Sequence, residues 1–208
     1  GTKFPATRDK GVEHKASSGA QLKELLRNRN FVFAVVAQLF YVGAQVGVWS
    51  YLIRYFQDAV PGTPERVAAS FLTASLALFM CGRFVGSLLL RKVSPTRLLG
   101  AFALVDLLLC IIAIALPGMI GLYALVGVSI FMSVMFPTIF VLGLSGLDDD
   151  HRKLGSSMLV MAIVGGALLP ALMGAVSDVA GIHWAIAVPA LSFIVILAYA
   201  LRTARLMR

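Results

Sequence analysis

Four side chains able to hydrogen-bond recur at helical spacing inside an apolar stretch: Gln38, Tyr41, Gln45 and Trp49. At 100° per residue they fall within roughly 80° of one another. Gly43 and Gly47 point nearly the opposite way. A polar group left unpaired in hydrocarbon costs several kcal/mol, so such a stripe must gain a partner. Amide donors and acceptors beside an indole and a phenol suit a sugar ring, with amides for the hydroxyls and aromatic faces for the apolar C–H patch. The competing reading makes the glutamines packing glue that bonds across helices. On the far face, Gly-x3-Gly would admit a neighbouring helix closely. Arg54, with Tyr51 and Tyr55, reads as a snorkelling anchor at the outer interface.

Two further segments carry side chains or bends of interest. Met132, Phe136 and Phe140 share a helical face with Ser129 and Ser133, and Pro137 must kink whatever helix contains it. Downstream, Gly155, Gly165, Gly166 and Pro170 punctuate another apolar run. Paired glycines and prolines mark bends, and bends in two neighbouring spans predict moving parts. Arg83 and Asp106 are charges stranded within apolar blocks. Each alone near mid-membrane costs ~2.5–3.5 kcal/mol, which predicts an Arg83–Asp106 ion pair between consecutive antiparallel helices. The rival is that Arg83 caps carbonyls or meets another helix, leaving Asp106 protonated.

Other chemistry is weaker. Gly143-Leu-Ser145-Gly146 matches the G-x-S-G of intramembrane serine proteases, but a nucleophilic serine needs a base within reach. His14 lies in the tail, His151 in a charged loop, and His183 a membrane thickness away. No enzyme is expected. Asp148-Asp-Asp150 beside His151 reads as a solvated loop rather than a metal site. Cys81 and Cys110 sit at different depths, so a disulfide is not expected, and they read as small apolar residues.

The elements that must position these residues follow from composition. Of 208 residues, 59% are hydrophobic and 13% charged, against ~25% charged in soluble domains. A soluble protein of this size cannot hide that much apolar surface. The apolar material falls into six blocks near 31–56, 67–90, 97–116, 119–144, 154–176 and 184–202, each close to the ~20 residues that span a bilayer. Their length and lack of strict alternation predict helices. The net charge of +8 reads as topology: fifteen Lys/Arg fall on the side holding both termini, and only Arg54 and Arg66 on the other. The positive-inside rule then makes both termini cytosolic, and nucleic acid is not an expected partner.

Residues 1–30 form a cytosolic linker, with a possible interfacial helix from Gly19 to Asn30, and 31–208 the membrane domain. The spans divide into two triples of opposite direction, a 3+3 inverted repeat of the kind that builds secondary transporters. Opening on Gly-Thr-Lys without Met, and without the regions of a signal peptide, the chain reads as part of a longer one.

In order along residues 31–190, Tyr41-Val-Gly-Ala-Gln45, Trp49-Ser-Tyr-Leu-Ile-Arg54-Tyr55, Gly82-Arg-Phe-x-Gly86, Pro137-Thr-Ile-Phe-x-Leu-Gly143, Gly155-Ser-Ser, Val160-Met161, Gly165-Gly166 and Ser177-Asp178-x-Ala-Gly181 resemble the C-terminal half of the fucose–proton symporter family. That family is a sugar-carrying branch of the major facilitator superfamily. The resemblance implies the second half of a twelve-helix fold, whose first and fourth helices line the central path. It implies proton-driven alternating access in a cell (inner) membrane, with no cofactor beyond the coupling proton. The partners it implies are a small sugar, the lipid bilayer and an N-terminal six-helix half that holds the proton-carrying acids. Gln38, Tyr41, Gln45, Trp49, Met132, Phe136 and Met161 are then the expected substrate contacts. Arg83, Asp106, Asp178, Pro137, Gly165 and Gly166 are the expected structural or gating residues. The chain departs from the family at Met135-Phe136, where the pattern reads Gln-Tyr, and at Asp106, which has no counterpart. A non-transporting sensor or scaffold on the same fold is the alternative.

Overall fold

The computed structural model describes residues 13–207. They form α1 (Glu13–Arg27), α2 (Arg29–Ala59), α3 (Glu65–Leu89), α4 (Pro95–Ala115), α5 (Met119–Met132), α6 (Met135–Leu144) and α7 (Asp149–Met161), then a single 3₁₀ turn (Ala162–Val164) followed by α8 (Gly165–Ala180), α9 (Ile182–Ala185) and α10 (Ala187–Leu206). Six spans are long and apolar enough to cross a membrane: α2, α3, α4, α5 with α6, α7 with α8, and α9 with α10. The spans alternate in direction, so the second triple is inverted relative to the first. This is the six-span arrangement of two triples that the hydropathy pattern predicts.

Local chemistry sets the boundaries. The Asn28 side chain caps α2, accepting from the backbone N–H of Asn30 and Phe31 at 3.1 Å each. Pro95 opens α4 at a position where its missing N–H is no loss. The Asp148 side chain accepts from the His151 N–H at 3.2 Å to cap α7 and also bonds the His151 ring. That ring bond holds the Asp148 carboxyl below its usual range. Gly181 adopts φ of 96°, which lets the chain turn between α8 and α9.

The first span is the axis of the bundle, with α2 packing against α3, α5, α6, α8 and α10. Its Gly43 and Gly47 lie directly under Leu169 and Met173 of α8. The Gly-x3-Gly face therefore does what its spacing predicts. At the basic end, the Thr203 hydroxyl donates to the Asn30 side-chain oxygen at 3.2 Å, bringing the two ends of the membrane domain together. At the opposite end, the Tyr55 hydroxyl donates to the Ala113 carbonyl at 2.6 Å. The least buried spans are α3 and α7–α8.

The linker expected over residues 1–30 is described from residue 13 only, and residues 1–12 lie outside the described part. Helix α1 begins before the Gly19–Asn30 window. Its Leu25 is buried, whereas Leu22 and Leu26 remain exposed. It packs on α7 and α2, with Glu24 3.3 Å from the His151 ring.

Candidate functional site

The fourth span is broken. Helix α5 ends at Met132, α6 begins at Met135, and Ser133 and Val134 bridge them. Pro137 has no N–H to give the Ser133 carbonyl, so the regular ladder cannot run through this point. The Met132 carbonyl is taken instead by the Tyr41 hydroxyl of α2 at 2.9 Å. Past the break, Thr138 bonds Val134 through both its backbone N–H (3.2 Å) and its hydroxyl (2.7 Å). Phe136 meets the Tyr41 ring edge-on at 6.1 Å and stacks on Phe140 at 6.3 Å. The glycines of α3 fit the break closely, with Gly82 against the Ile130 carbonyl and Gly86 against Val134.

One turn and more towards the far end, Trp49 Nε1 donates to Ser129 Oγ at 3.2 Å. Ser129 also pairs with Ser75 of α3. The indole meets Phe79 edge-on at 5.1 Å, and the Arg83 guanidinium lies over the Phe79 ring at 5.6 Å. One network thus ties α2, α5 and α3 together beside the stripe. Ser75 and Phe79 were not picked out by sequence reasoning. The available signal was that Ser75 shares the inward face of α3 with Gly82 and Gly86.

The stripe divides by depth. Gln45, Trp49 and Phe136 are half-buried, so part of each side chain faces open space. Gln38, Tyr41 and Met132 do not. This sets three of the expected substrate contacts apart from the other members of the stripe. The three are sealed by helix packing within this half, and a ligand could reach them only if the helices parted. Gln38 does not act as glue either, since its amide oxygen and nitrogen both lack a hydrogen-bond partner. Met161 is exposed on α7.

The predicted Arg83–Asp106 pair is absent. Asp106 is fully buried, and both its carboxyl oxygens are without partners. Arg83 is exposed, over Phe79. Consecutive helices need not touch, and here α5 separates the two: α3 packs on α5 and α2, while α4 packs on α10 and α5.

The bend residues sit where packing is closest. Gly165 follows the 3₁₀ turn and lies against the Leu39 carbonyl of α2, and Gly166 against Val42 and Val46. Asp178 is exposed near the end of α8. The Ser145 hydroxyl donates to the Leu142 carbonyl at 2.7 Å, which fits a helix end and not a nucleophile. Cys81 and Cys110 are unpaired. Among the described residues, no cluster of three or more His, Cys, Asp or Glu is placed to hold a metal.

No family profile matches the chain, but individual proteins do. The L-fucose–proton symporter of Escherichia coli (strain K12) is 45% identical over 202 residues, covering 96% of this chain and 46% of that protein. The glucose/galactose transporter of Brucella abortus biovar 1 is 37% identical over 174 residues, 83% of this chain and 42% of its own. Among solved structures, the major facilitator transporter FucP in the outward conformation superposes with a TM-score of 0.88 at 42% identity, covering 97% of this chain and 49% of that one. A peptide transporter at 19% identity and a TM-score of 0.73 shares the fold. The chain spans about half the length of the curated relatives it matches.

Proposed function

Because this chain belongs to the fucose–proton symporter family of the major facilitator superfamily, as a six-helix half, we propose that the protein containing it imports a monosaccharide by proton symport. The chain supplies the C-terminal half of the path. An N-terminal six-helix half supplies the facing wall and the acids that carry the coupling proton. Both termini of the membrane domain face the cytosol, with the basic end inward, and the protein resides in the cell inner membrane.

The observation that carries this reading is the open part of the stripe. Gln45, Trp49 and Phe136 present an amide and two aromatic surfaces from the first and fourth spans, half-exposed in a membrane protein whose own helices leave them uncovered. An amide beside an indole suits a ring with hydroxyls on its edge and C–H groups on its face. Phe136, where the family pattern has a phenol, removes one hydroxyl from that wall, while Met135, at the amide position, is buried in helix packing. The same path therefore takes a sugar with fewer polar anchors here than the family pattern offers.

The bends support alternating access. The break at Ser133–Val134 and the 3₁₀ turn before Gly165 place weak points in two spans of one triple, where a helix can flex without losing a long ladder of hydrogen bonds.

Uptake of labelled monosaccharides by the full-length protein in energised vesicles tests the reading, with unlabelled sugars as competitors. Accumulation that collapses when an uncoupler is added is expected. Binding without uptake, or no response to any sugar, would overturn it in favour of a sensor or scaffold on this fold.

A further inference from the structure

Asp106 is the buried ionisable group that the transport path does not use. It lies near the middle of α4, on a seam formed with Leu99, Ala103, Cys110 and Ala113, all buried. Ala103 and Cys110, one turn to either side, are small and offer the carboxyl no charged partner. The elements packed on α4 are α5, α6, α9 and α10. Their titratable groups are Tyr123 on α5, none on α6, His183 on α9, and Tyr199, Arg202 and Arg205 on α10. None of these bonds Asp106, and the Arg202 guanidinium is over Phe33 at 5.7 Å. On α2, the Tyr41 hydroxyl already donates to the Met132 carbonyl.

An ionised carboxylate in this position would be a bare charge in packed protein at mid-membrane, the arrangement that insertion energetics penalise most. A carboxylic acid removes the charge at the expense of one proton. The occupant is decided by space. Three cavities among the described residues lie at the basic end of the chain, lined by residues of α1, the neighbouring ends of α2, α6, α7 and α10, and the α6–α7 loop; none of these three is lined by Asp106. A metal ion needs several ligands around it, and among the described residues no cluster of three or more His, Cys, Asp or Glu is placed to supply them. A proton needs no room.

We propose that Asp106 binds a proton in this conformation and is a proton-binding site of the C-terminal half, separate from the substrate-facing stripe. A proton taken from water converts the carboxylate to the neutral acid as α4 closes on α10 and α5. Releasing it requires that packing to loosen until water reaches the carboxyl. Proton occupancy and the packing of this half are therefore linked, whatever sugar the protein carries.

The test is infrared spectroscopy on the purified full-length protein at neutral pH, where a protonated carboxylic acid has a C=O stretch separate from ionised carboxylate bands. The parent should show an acid band that Asp106→Asn abolishes, Asp106→Glu shifts, and Arg83→Gln leaves unchanged. Should the asparagine variant fail to fold, the glutamate variant decides, because an unshifted band cannot arise at this position. Loss of a carboxylate band in Asp106→Asn, with the acid region unchanged, overturns the proposal. So does a new acid band in Arg83→Gln, which would mean that Arg83 had been holding Asp106 ionised.

Discussion

The Tyr41 hydroxyl donates 2.9 Å to the Met132 carbonyl, the acceptor left over where the fourth span breaks. Two sequence features that look unrelated, a phenol in the first span and Pro137 in the fourth, are thereby one device. The proline interrupts the ladder, and the tyrosine occupies a carbonyl beside the interruption. Tyr41→Phe keeps the ring and its edge contact with Phe136 but leaves a buried carbonyl unpaired. A loss of about 1–3 kcal/mol is expected, read as a lower melting temperature of the purified full-length protein. A phenylalanine variant as stable as the parent would show that the bond does not brace the break.

Close helix approach supplies a second prediction. A methyl group on Gly165 would run into the backbone carbonyl of Leu39, and backbone cannot swing away as a side chain can. Gly165→Ala should destabilise by about 1–3 kcal/mol, as overpacking of a tight contact does. Gly127→Ala is the matched control, since its added methyl would meet only the Leu109 side chain at an ordinary 3.6 Å. Equal melting temperatures for the two variants would remove the argument that Gly165 sets the distance between the first and fifth spans.

The sequence carried the spans and the flat glycine face of α2 plainly, because hydropathy and helical period depend on residue type alone. It carried the stripe only in part. Helical phase groups Gln38 with Gln45, yet packing separates them, since α2 runs from the interior of the bundle at one depth to an open wall at another. Phase is local and depth of burial is not. The Arg83–Asp106 expectation failed for a related reason. Adjacency in the chain was taken for adjacency in space, whereas α4 packs on α10, an element nearly a hundred residues away. The break at Ser133–Val134 was readable as a proline kink, but its tyrosine brace was not, because nothing in a one-dimensional pattern says which carbonyl a distant phenol will find.

A double-mutant cycle on Arg83 and Asp106 checks the corrected arrangement. Residues in contact couple by about 0.5–3 kcal/mol, whereas separated ones add to within about 0.5 kcal/mol. Arg83→Gln and Asp106→Asn should therefore act additively on stability. Coupling above that range would restore the ion pair.

Vesicles containing residues 1–208 alone should show no proton-driven sugar accumulation. A central path needs a site between two repeats with each half closing against the other, and the open stripe here has nothing opposite it. Co-expression with the N-terminal half is expected to recover uptake. Concentrative uptake by residues 1–208 alone would overturn the division of labour proposed between the halves.

The stripe itself is tested by separating binding from folding. Gln45→Ala should weaken sugar binding to the full-length protein by about 1–3 kcal/mol, the result of leaving a sugar hydroxyl without its partner. That corresponds to roughly five- to 150-fold in Kd. Trp49→Ala should weaken binding by a similar amount through the lost ring face. Trp49→Phe isolates the indole N–H: Ser129 keeps its pairing with Ser75, so no buried hydroxyl is orphaned. The fold should tolerate that change, while an aromatic surface remains for the sugar. Its affinity is therefore expected between those of the parent and Trp49→Ala, at an unchanged melting temperature. Calorimetric binding and thermal unfolding on the same samples give both readouts. Normal affinity together with lowered melting temperatures in Gln45→Ala and Trp49→Ala would assign the stripe to helix packing and remove it from the path.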